Sequence, residues 1–592
     1  MKIRYLSGNR LYYAFLAGGE TVIRDQAYLN KINVFPVPDA DTGTNLASMM
    51  RFIAARAKAF HSPKSTLDSI ADAAISGARG NSGIIFAQFL YGIAQEIKND
   101  LRISTKAFGE SVRHAVRYAR SAIVHPVDGT MITLIHDWAE AVYRERQKTS
   151  DFAELLSHSL QIAQESLKET PKKLAVLRKA GVVDAGSKGF VDFLEGVVHF
   201  IKRGNIKHLL TSRSGTTEAP PVVHAHKSAI RKRYCSEALM TGTGLDVDAI
   251  RKVVSSFGES AIVAGSGEKA RIHVHTDAPA DLFFRLKDFG TIAEIKADDM
   301  IRQYEASHRP KSKIALVVDS ACDLPRAFFY EHQIHIIPFQ LTFGDTLFLD
   351  KVTITPEQFY SLLQSSPHHP QSSQPSPASV QSLFAFLASH YESVIAVTIS
   401  SGLTGMYSLC LKAAESLPGT KISVIDSKHL SVTHGLILVR IVDGLRKGMS
   451  HDEIVASAGD WIAKTKLLVD IATLKYMVRG GRVSPLKGLI AGLLNLKPII
   501  SLDADGKAVA DGKSFSRRSN MKKILGMVRE FAGAGKVRGY AIVHARNPER
   551  AALYAEAMAG IIGAKPDFVM DLSPVIGVHN GIGVVGIALV HE

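Results

Sequence analysis

The hydrophobic period of this 592-residue chain changes twice, and no single fold accommodates both sides of either change. From about Ser7 to about Lys207, apolar residues recur at helical spacing, as in Ile70-Ala71-Asp72-Ala73-Ala74-Ile75 and from Ile84 to Leu90. Further helices are expected over Ala107–Ile123, Met131–Lys148 and Asp151–Thr170. From Arg233 to about Tyr304 the pattern becomes short strands (Ser260–Gly265, Ala270–His275) alternating with helices (Asp246–Phe257, Ala280–Asp288). A strong buried strand, Ile314–Asp319, then opens a longer series with strand-like runs at Ser393–Ile399, Ile422–Asp426 and Gly539–Val543. Helical segments between them point to a parallel α/β architecture, into which Pro367–Pro377 is inserted as a loop. The expected organisation is an all-α domain over 1–210, a polar linker over 211–229 and a small α+β domain over 230–305. A basic linker over 306–313 then leads to an α/β domain over 314–592.

Length alone suggests roughly three or four domains. A hydrophobic content of 46% with 21% charged residues is that of a globular chain, not a disordered one. No apolar run reaches membrane-spanning length, and Met1-Lys2-Ile3-Arg4-Tyr5-Leu6 does not lead into a signal-peptide core. A cytoplasmic protein is expected. The three cysteines, Cys235, Cys322 and Cys410, are too few and too scattered for a disulfide framework. The net charge of +15 favours anionic partners. Nucleic acid is not expected, because no recognition-helix, zinc-finger or aromatic-rich single-strand signature accompanies the charge. A solvated basic surface or peripheral attraction to an anionic membrane are the readings compatible with it.

One segment concentrates chemistry: Asn33-Val34-Phe35-Pro36-Val37-Pro38-Asp39-Ala40-Asp41-Thr42-Gly43-Thr44-Asn45. Pro36 and Pro38 remove two N–H donors and hold the approach to Asp39 extended. Asp39 and Asp41 crowd negative charge at a turn, which a cation between them relieves. Hard oxygen ligands suit Mg²⁺, which keeps positions open for phosphate oxygens. A solvated Asp-rich turn is the competing reading. Two more glycine clusters, Gly77-Ala78-Arg79-Gly80-Asn81-Ser82-Gly83 and Gly181 to Gly189, precede apolar helices whose free N–H groups suit phosphate. Each alone could be a tight inter-helix turn; together they could converge on a nucleotide. Farther on, strand alternation puts His273 and His275 on one face, and Cys235 could complete three ligands of the kind zinc prefers. Two surface histidines and a buried thiol would be the plain alternative.

Taken together, Asn33 to Asn45, Gly77 to Gly83, His125-Pro126-Val127-Asp128-Gly129-Thr130 and Gly181 to Gly189 resemble the ATP-binding helical barrel of dihydroxyacetone kinases. The nearest version is the ATP-binding component of bacterial fatty acid kinase. The resemblance implies that Asp39 and Asp41 hold Mg²⁺ on ATP, with Asn33 a neighbouring oxygen ligand. It implies that Thr42, Thr44, Asn45, Asn81 and Ser82 contact phosphates or metal, with Asp184 near the nucleotide. Ala40 and Ser187 stand where that family has glycine. Cys235, His273 and His275 are similar to the middle domain of the same component, where such a set implies Zn²⁺ in a structural or regulatory role.

The last domain resembles the DegV family, the fatty-acid-binding partner of that kinase. The resemblance runs through Asp319 to Pro325, Ser372 to Ser376, Ser400 to Gly405, Asp426-Ser427, Arg479 to Arg482, Leu496 to Ile499 and Gly577 to Gly581. It implies that Ser372 or Ser373, Ser400 or Ser401, Arg482 and His579 bind a fatty acid carboxylate, with Arg482 and His579 orienting it for reaction. Leu489 to Leu494 is a candidate wall for the acyl chain, though core packing explains such a run equally well.

Both halves on one chain imply ATP-dependent phosphorylation of a fatty acid to an acyl phosphate, consumed by a membrane-associated acyltransferase. A fatty acid carrier or sensor with a decayed kinase site, and a kinase for a small hydroxylated substrate, are the alternatives. The Ser307–Lys313 linker reaches only about 25 Å when extended. With the homodimer the family implies, phosphoryl transfer between subunits is expected.

Overall fold

The computed structural model describes residues 2–35, 41–204, 230–480 and 497–592. The chain separates into two compact units, Met1–Met300 and Ile301–Glu592, each with its own architecture. No described helix is long and apolar enough to cross a membrane.

Among the described residues, unit 1 begins with ten helices: α1 (Gly8–Arg24), α2 (Gln26–Lys31), α3 (Thr42–Arg56), α4 (Pro63–Gly77), α5 (Gly80–Glu96), α6 (Thr105–Ser121), α7 (Met131–Glu145), α8 (Phe152–Lys173), α9 (Ala175–Ala180) and α10 (Ala185–Arg203). Side-chain caps fix the starts of α1, α4, α6, α8 and α10. Ser62 accepts from Ser65 N just before Pro63, Ser104 from Ala107 N, and Asp151 from Ala153 N. Successive long helices pack side by side from α3 to α8, α8 packs on α10, and α10 returns against α1, which closes the ring on α3. The interior is aromatic: Phe86 meets Phe190 and Phe193 edge-on at centroid distances of 5.1 and 5.0 Å, and Trp138 meets Phe190 at 5.6 Å. A two-residue antiparallel pair, β1 (Tyr5–Leu6) with β2 (Ile103–Ser104), ties the first residues to the end of the α5–α6 connection.

The remainder of unit 1 is a four-stranded antiparallel sheet of β3 (Tyr234–Thr241), β4 (Gly258–Gly265), β5 (Lys269–Thr276) and β6 (Thr291–Asp299), ordered β4-β5-β3-β6. Alternation divides its faces. Ala238, Ile272, Val274 and Ile295 pack with the helices Val247–Phe257 and Pro279–Leu286. The other face is polar, with rows set by register: His275–Cys235–Asp298, then His273–Glu237–Lys296, then Arg271–Leu239–Glu294. The edge strand β4 is covered by the helical domain: Val263 N donates to Ala122 O at 3.1 Å, Val124 N to Ala261 O at 3.4 Å, and Ile123 bridges Ile262.

Unit 2 contains a parallel four-stranded sheet, ordered Ile422–Asp426, Ser393–Thr398, Ile314–Asp319, His335–Ile337. Its first strand lies between the strands that follow, which leaves a crevice at the carboxyl ends. The second sheet has six strands, ordered Ala508–Ser514, Lys497–Leu502, Thr465–Asp470, Val585–His591, Val537–His544, Val569–Asp571. Here the expectation of parallel architecture is corrected. Only the last pair is parallel, because a short turn joins Lys497–Leu502 to Ala508–Ser514 and the final strand inserts antiparallel between two others. The loop expected over Pro367–Pro377 also contains a short strand, Gln371–Ser373, paired antiparallel with Gln340–Phe343. All three cysteines are free thiols.

Candidate functional site

Three glycine clusters meet in unit 1. Gly80, the first residue of α5, has φ +61°, and a Cβ built there would lie 2.5 Å from Asn45 Nδ2. A Cβ on Gly186 would lie 2.4 Å from Ser82 Oγ. Only glycine permits these approaches, and they set Asn45, Ser82 and the start of α10 around one point. Asp184 caps α10: its Oδ2 accepts from Ser187 N at 2.8 Å and Ser187 Oγ at 2.7 Å, and its carboxylate also accepts from Met131 N. Burial raises the Asp184 carboxyl above its ordinary range. The Ser187 hydroxyl is thus engaged within the cap, fully buried, and does not project into the cluster. Asn81 Oδ1 is buried with no hydrogen-bond partner among the described residues.

Asp41 immediately precedes α3. Its carbonyl accepts from Asn45 N at 2.8 Å and its carboxylate from the Asn45 side chain. Burial raises its pKa, opposed first by Lys296 and then by Asn45; Glu237 adds to the rise and His273 opposes it. The polar face of the β3–β6 sheet therefore lies within electrostatic range of Asp41. Asn33 is buried and Thr42 half-buried at the two sides of 36–40; Asp39 and Ala40 lie outside the described residues. Thr44 is exposed and engaged with α2, its Oγ1 accepting from Asn30 Nδ2 at 2.8 Å and its N donating to Asn30 Oδ1 at 2.9 Å.

Cys235, His273 and His275 come together on that polar face, one ligand atom from each lying within 4.8 Å of the others. Burial lowers His275 to about 3 and drives the Cys235 thiol well above its usual range. His273 Nδ1 sits 3.0 Å from Glu237 Oε1, and its buried Nε2 has no hydrogen-bond partner among the described residues. The orphaned Nε2 of His273, the His275 imidazole that burial keeps neutral and a thiol fit a soft or borderline cation. Burial works to raise Glu237, yet His273, Lys296 and Arg271 outweigh it and leave the carboxyl at about 2. The sequence reading missed Glu237, Arg271 and Lys296, although Glu237 follows Cys235 at the strand period of two.

In unit 2 the crevice continues into an apolar pocket at the carboxyl end of Ser393–Thr398. Phe339, Ile399, Leu467, Val469, Ile500 and Ile576 line it, with Ser372, Ser373, His579 and Asn580 at a polar part of its wall. Ser372 Oγ lies 3.0 Å from His579 Nε2. The ring of His579 rests against Gly480, where a Cβ would stand 2.3 Å from Nδ1. Ser400 and Ser401 are engaged elsewhere. Ser400 Oγ donates to Gly506 O at 2.8 Å, and Ser401 Oγ to Asp426 Oδ2 at 2.5 Å. Arg482 and Leu489 to Leu494 lie outside the described residues. The described wall comes instead from alternate residues of Thr465–Asp470 and Lys497–Leu502. Two buried aspartates anchor it: Asp319 accepts from Ile399 N at 2.6 Å and Ala321 N at 3.0 Å, and Asp350 from Val575 N at 3.2 Å. Burial raises both carboxyls to about 7.

Comparison with known proteins follows the same division. Residues 36–199 match the DAK2 domain, 231–307 the fatty-acid-kinase-like middle domain, and 313–592 the DegV family of uncharacterised proteins. Uncharacterized proteins of Staphylococcus aureus strains USA300 and N315 are each 28% identical over 333 residues, covering 53% of this chain and 60% of theirs. The chain thus spans less than two thirds of the length of these curated relatives. Among solved structures, DegV of Bacillus subtilis, described as a fatty acid binding protein, is 26% identical over 48% of this chain and 100% of its own, with a TM-score of 0.45. The fatty acid binding DegV family protein of Streptococcus agalactiae is also 26% identical, over 48% and 99%, with the same score.

Proposed function

We propose that this chain, which joins a DAK2 domain, a fatty-acid-kinase-type middle domain and a DegV domain in the arrangement of a fused fatty acid kinase, uses ATP to phosphorylate the carboxylate of a bound fatty acid. The observation that carries the reading is the pairing, on one chain, of a glycine-built anion site around Asn45, Ser82 and Asp184 with an apolar pocket whose polar wall holds Ser372 and His579. Neither feature alone selects a carboxyl acceptor.

Asp41, and Asp39 by its place in the sequence, would hold Mg²⁺, a role that suits a carboxylate whose burial disfavours its lone charge. Bound there, Mg²⁺ neutralises negative charge on the phosphates. The N–H groups of α5 that follow Gly80 and the Asn81 and Ser82 side chains orient the phosphates. Ser372 and His579 hold the fatty acid head group, with Arg482 a further candidate. The carboxylate is ionised at neutral pH, so it needs no general base. One of its oxygens attacks the γ-phosphorus, the bond to the bridging β–γ oxygen breaks, and ADP leaves. Cys235, His273 and His275 would hold Zn²⁺ beside this site in a structural or regulatory role.

Incubating the chain with MgATP and oleate and trapping acyl phosphate with hydroxylamine tests the reading; hydroxamate dependent on both is expected. Tight oleate binding without product at any chain length would favour a carrier. We further infer transfer between subunits of a homodimer. A mixture of Asp39→Ala and His579→Ala chains should then regain activity that each lacks, and a silent mixture would argue against it. An acyl phosphate is a reactive mixed anhydride, so the product calls for an acyltransferase as partner.

A further inference from the structure

The Gly77–Gly83 turn is gripped from outside its own domain. Arg271 Nε, on β5, donates to Ala78 O at 2.7 Å, and Gly80 N donates to Glu237 Oε1, on β3, at 2.7 Å. The two contacts bracket Arg79, and both gripping side chains are buried, at 3% and 4% exposure. Each is held from behind: Arg271 Nη1 by Glu294 Oε2 at 2.9 Å, Glu237 by His273 Nδ1 at 3.0 Å. Buried charges persist only where paired and hydrogen-bonded, so these two have few alternative positions. Gly80 has no side chain and a left-handed backbone, so its own chain does little to fix it. The anion-binding turn therefore takes its position from the middle sheet.

The same Glu237 oxygen serves both Gly80 N and His273 Nδ1. With Nδ1–H directed at Glu237, the buried Nε2 of His273 is the nitrogen left for a cation. A carboxylate behind a metal-binding histidine fixes its ring and tautomer. We propose that Glu237 is a positioning residue that couples the Cys235–His273–His275 cluster to nucleotide binding by holding Gly80, and with it Asn81 and Ser82. This rests on the nucleotide reading above. Linkage makes the coupling reciprocal: the factor by which an ion in the cluster changes nucleotide affinity is the factor by which nucleotide changes ion affinity.

The test is calorimetric titration of MgATP into the full chain, zinc-loaded and zinc-stripped, with zinc affinity measured separately by competition against a chromophoric chelator. Glu237→Ala is expected to weaken MgATP about tenfold and Glu237→Gln about threefold, since the amide keeps an acceptor for Gly80. In the unaltered chain, MgATP should change zinc affinity by the factor that zinc changes MgATP affinity, and Glu237→Ala should abolish that factor. Hydrogen-exchange protection of α1 to α10 reports that unit 1 of each variant chain is folded. Should Glu237→Ala not fold, Glu237→Gln and Arg271→Lys carry the same measurement, each with several-fold weakening. MgATP affinity unchanged in folded variants, or zinc and MgATP binding independently in the unaltered chain, would overturn the inference and leave the functional reading standing. No MgATP binding by the unaltered chain would overturn both.

Discussion

Glu237 of the first site and two aspartates of the second answer burial in opposite ways. Glu237 in unit 1 faces His273, Lys296 and Arg271, which outweigh burial and hold it ionised down to about pH 2. In unit 2 burial prevails over the backbone N–H groups that Asp319 receives and over Lys351 and Ser320 beside Asp350, and both carboxyls rise to about 7. The first site is a charged seam between two domains; the second is an apolar pocket whose lining is pinned by carboxyls kept close to neutral. A phosphoryl donor needs fixed charge around it, whereas an acyl chain needs its walls free of it.

The largest expected effect breaks the two functions apart. Asp41→Asn should reduce hydroxamate formation by about a hundredfold or more while leaving oleate affinity unchanged. His579→Ala should do the converse, weakening oleate about tenfold and leaving MgATP affinity intact. If either variant altered both affinities, the two sites would not be the separate entities described. Next in size is the pH response. A carboxyl raised to about 7 when folded, against its ordinary value near 4 when unfolded, binds more protons in the folded state between those values. Its contribution is present below pH 4 and is lost as pH rises through 7. Glu237, lowered to about 2, stabilises above its unfolded value near 4.5 and loses that contribution only as pH falls towards 2. From pH 7 to pH 8, above the range in which the buried His275 and His434 stabilise by staying neutral, hydrogen exchange of the full chain should thus show weakening protection in Ser393–Thr398 and constant protection in β3. Asp319→Asn should flatten the former, and a slope in β3 would contradict the contrast. The smallest effect concerns the rim of the seam. Lys269 pairs with Asp72 at 2.7 Å, and the carboxylate is largely solvated, so Asp72→Ala should cost about 0.5 kcal/mol or less in chemical denaturation.

Much of this was legible from residue order. The strand Ile314–Asp319 has the bounds expected of it, and α6, α7 and α8 begin within two residues of expectation. Long periodic segments report their own type, because burial of one face repeats over several turns. The antiparallel sheet of unit 2 was not legible, since strand direction is set by partners far apart in sequence, such as Thr465–Asp470 with Val585–His591. Nor could a motif say where hydroxyls point. Thr44, Ser400 and Ser401 belong to site-like strings, yet all three hydroxyls are engaged by neighbours outside those strings. Arg271 and Glu237 were missed for the complementary reason. Each reads as one polar residue in a strand, and only the register places both against Ala78 and Gly80.

The pairing of β4 with Ala122–Val124 bears on how such a chain can be divided. Sequence composition suggests a cut over 211–229, where one domain gives way to the next. Cutting there would strip the cover from an edge strand and turn a row of cysteine, histidine, glutamate and lysine towards solvent. A fragment made of the middle sheet alone should therefore be sticky and short-lived, whereas Met1–Met300 carries its own closure. The inheritable module is larger than the span over which the helical period ends. Any exchange of middle domains between relatives must carry the end of α6 with it.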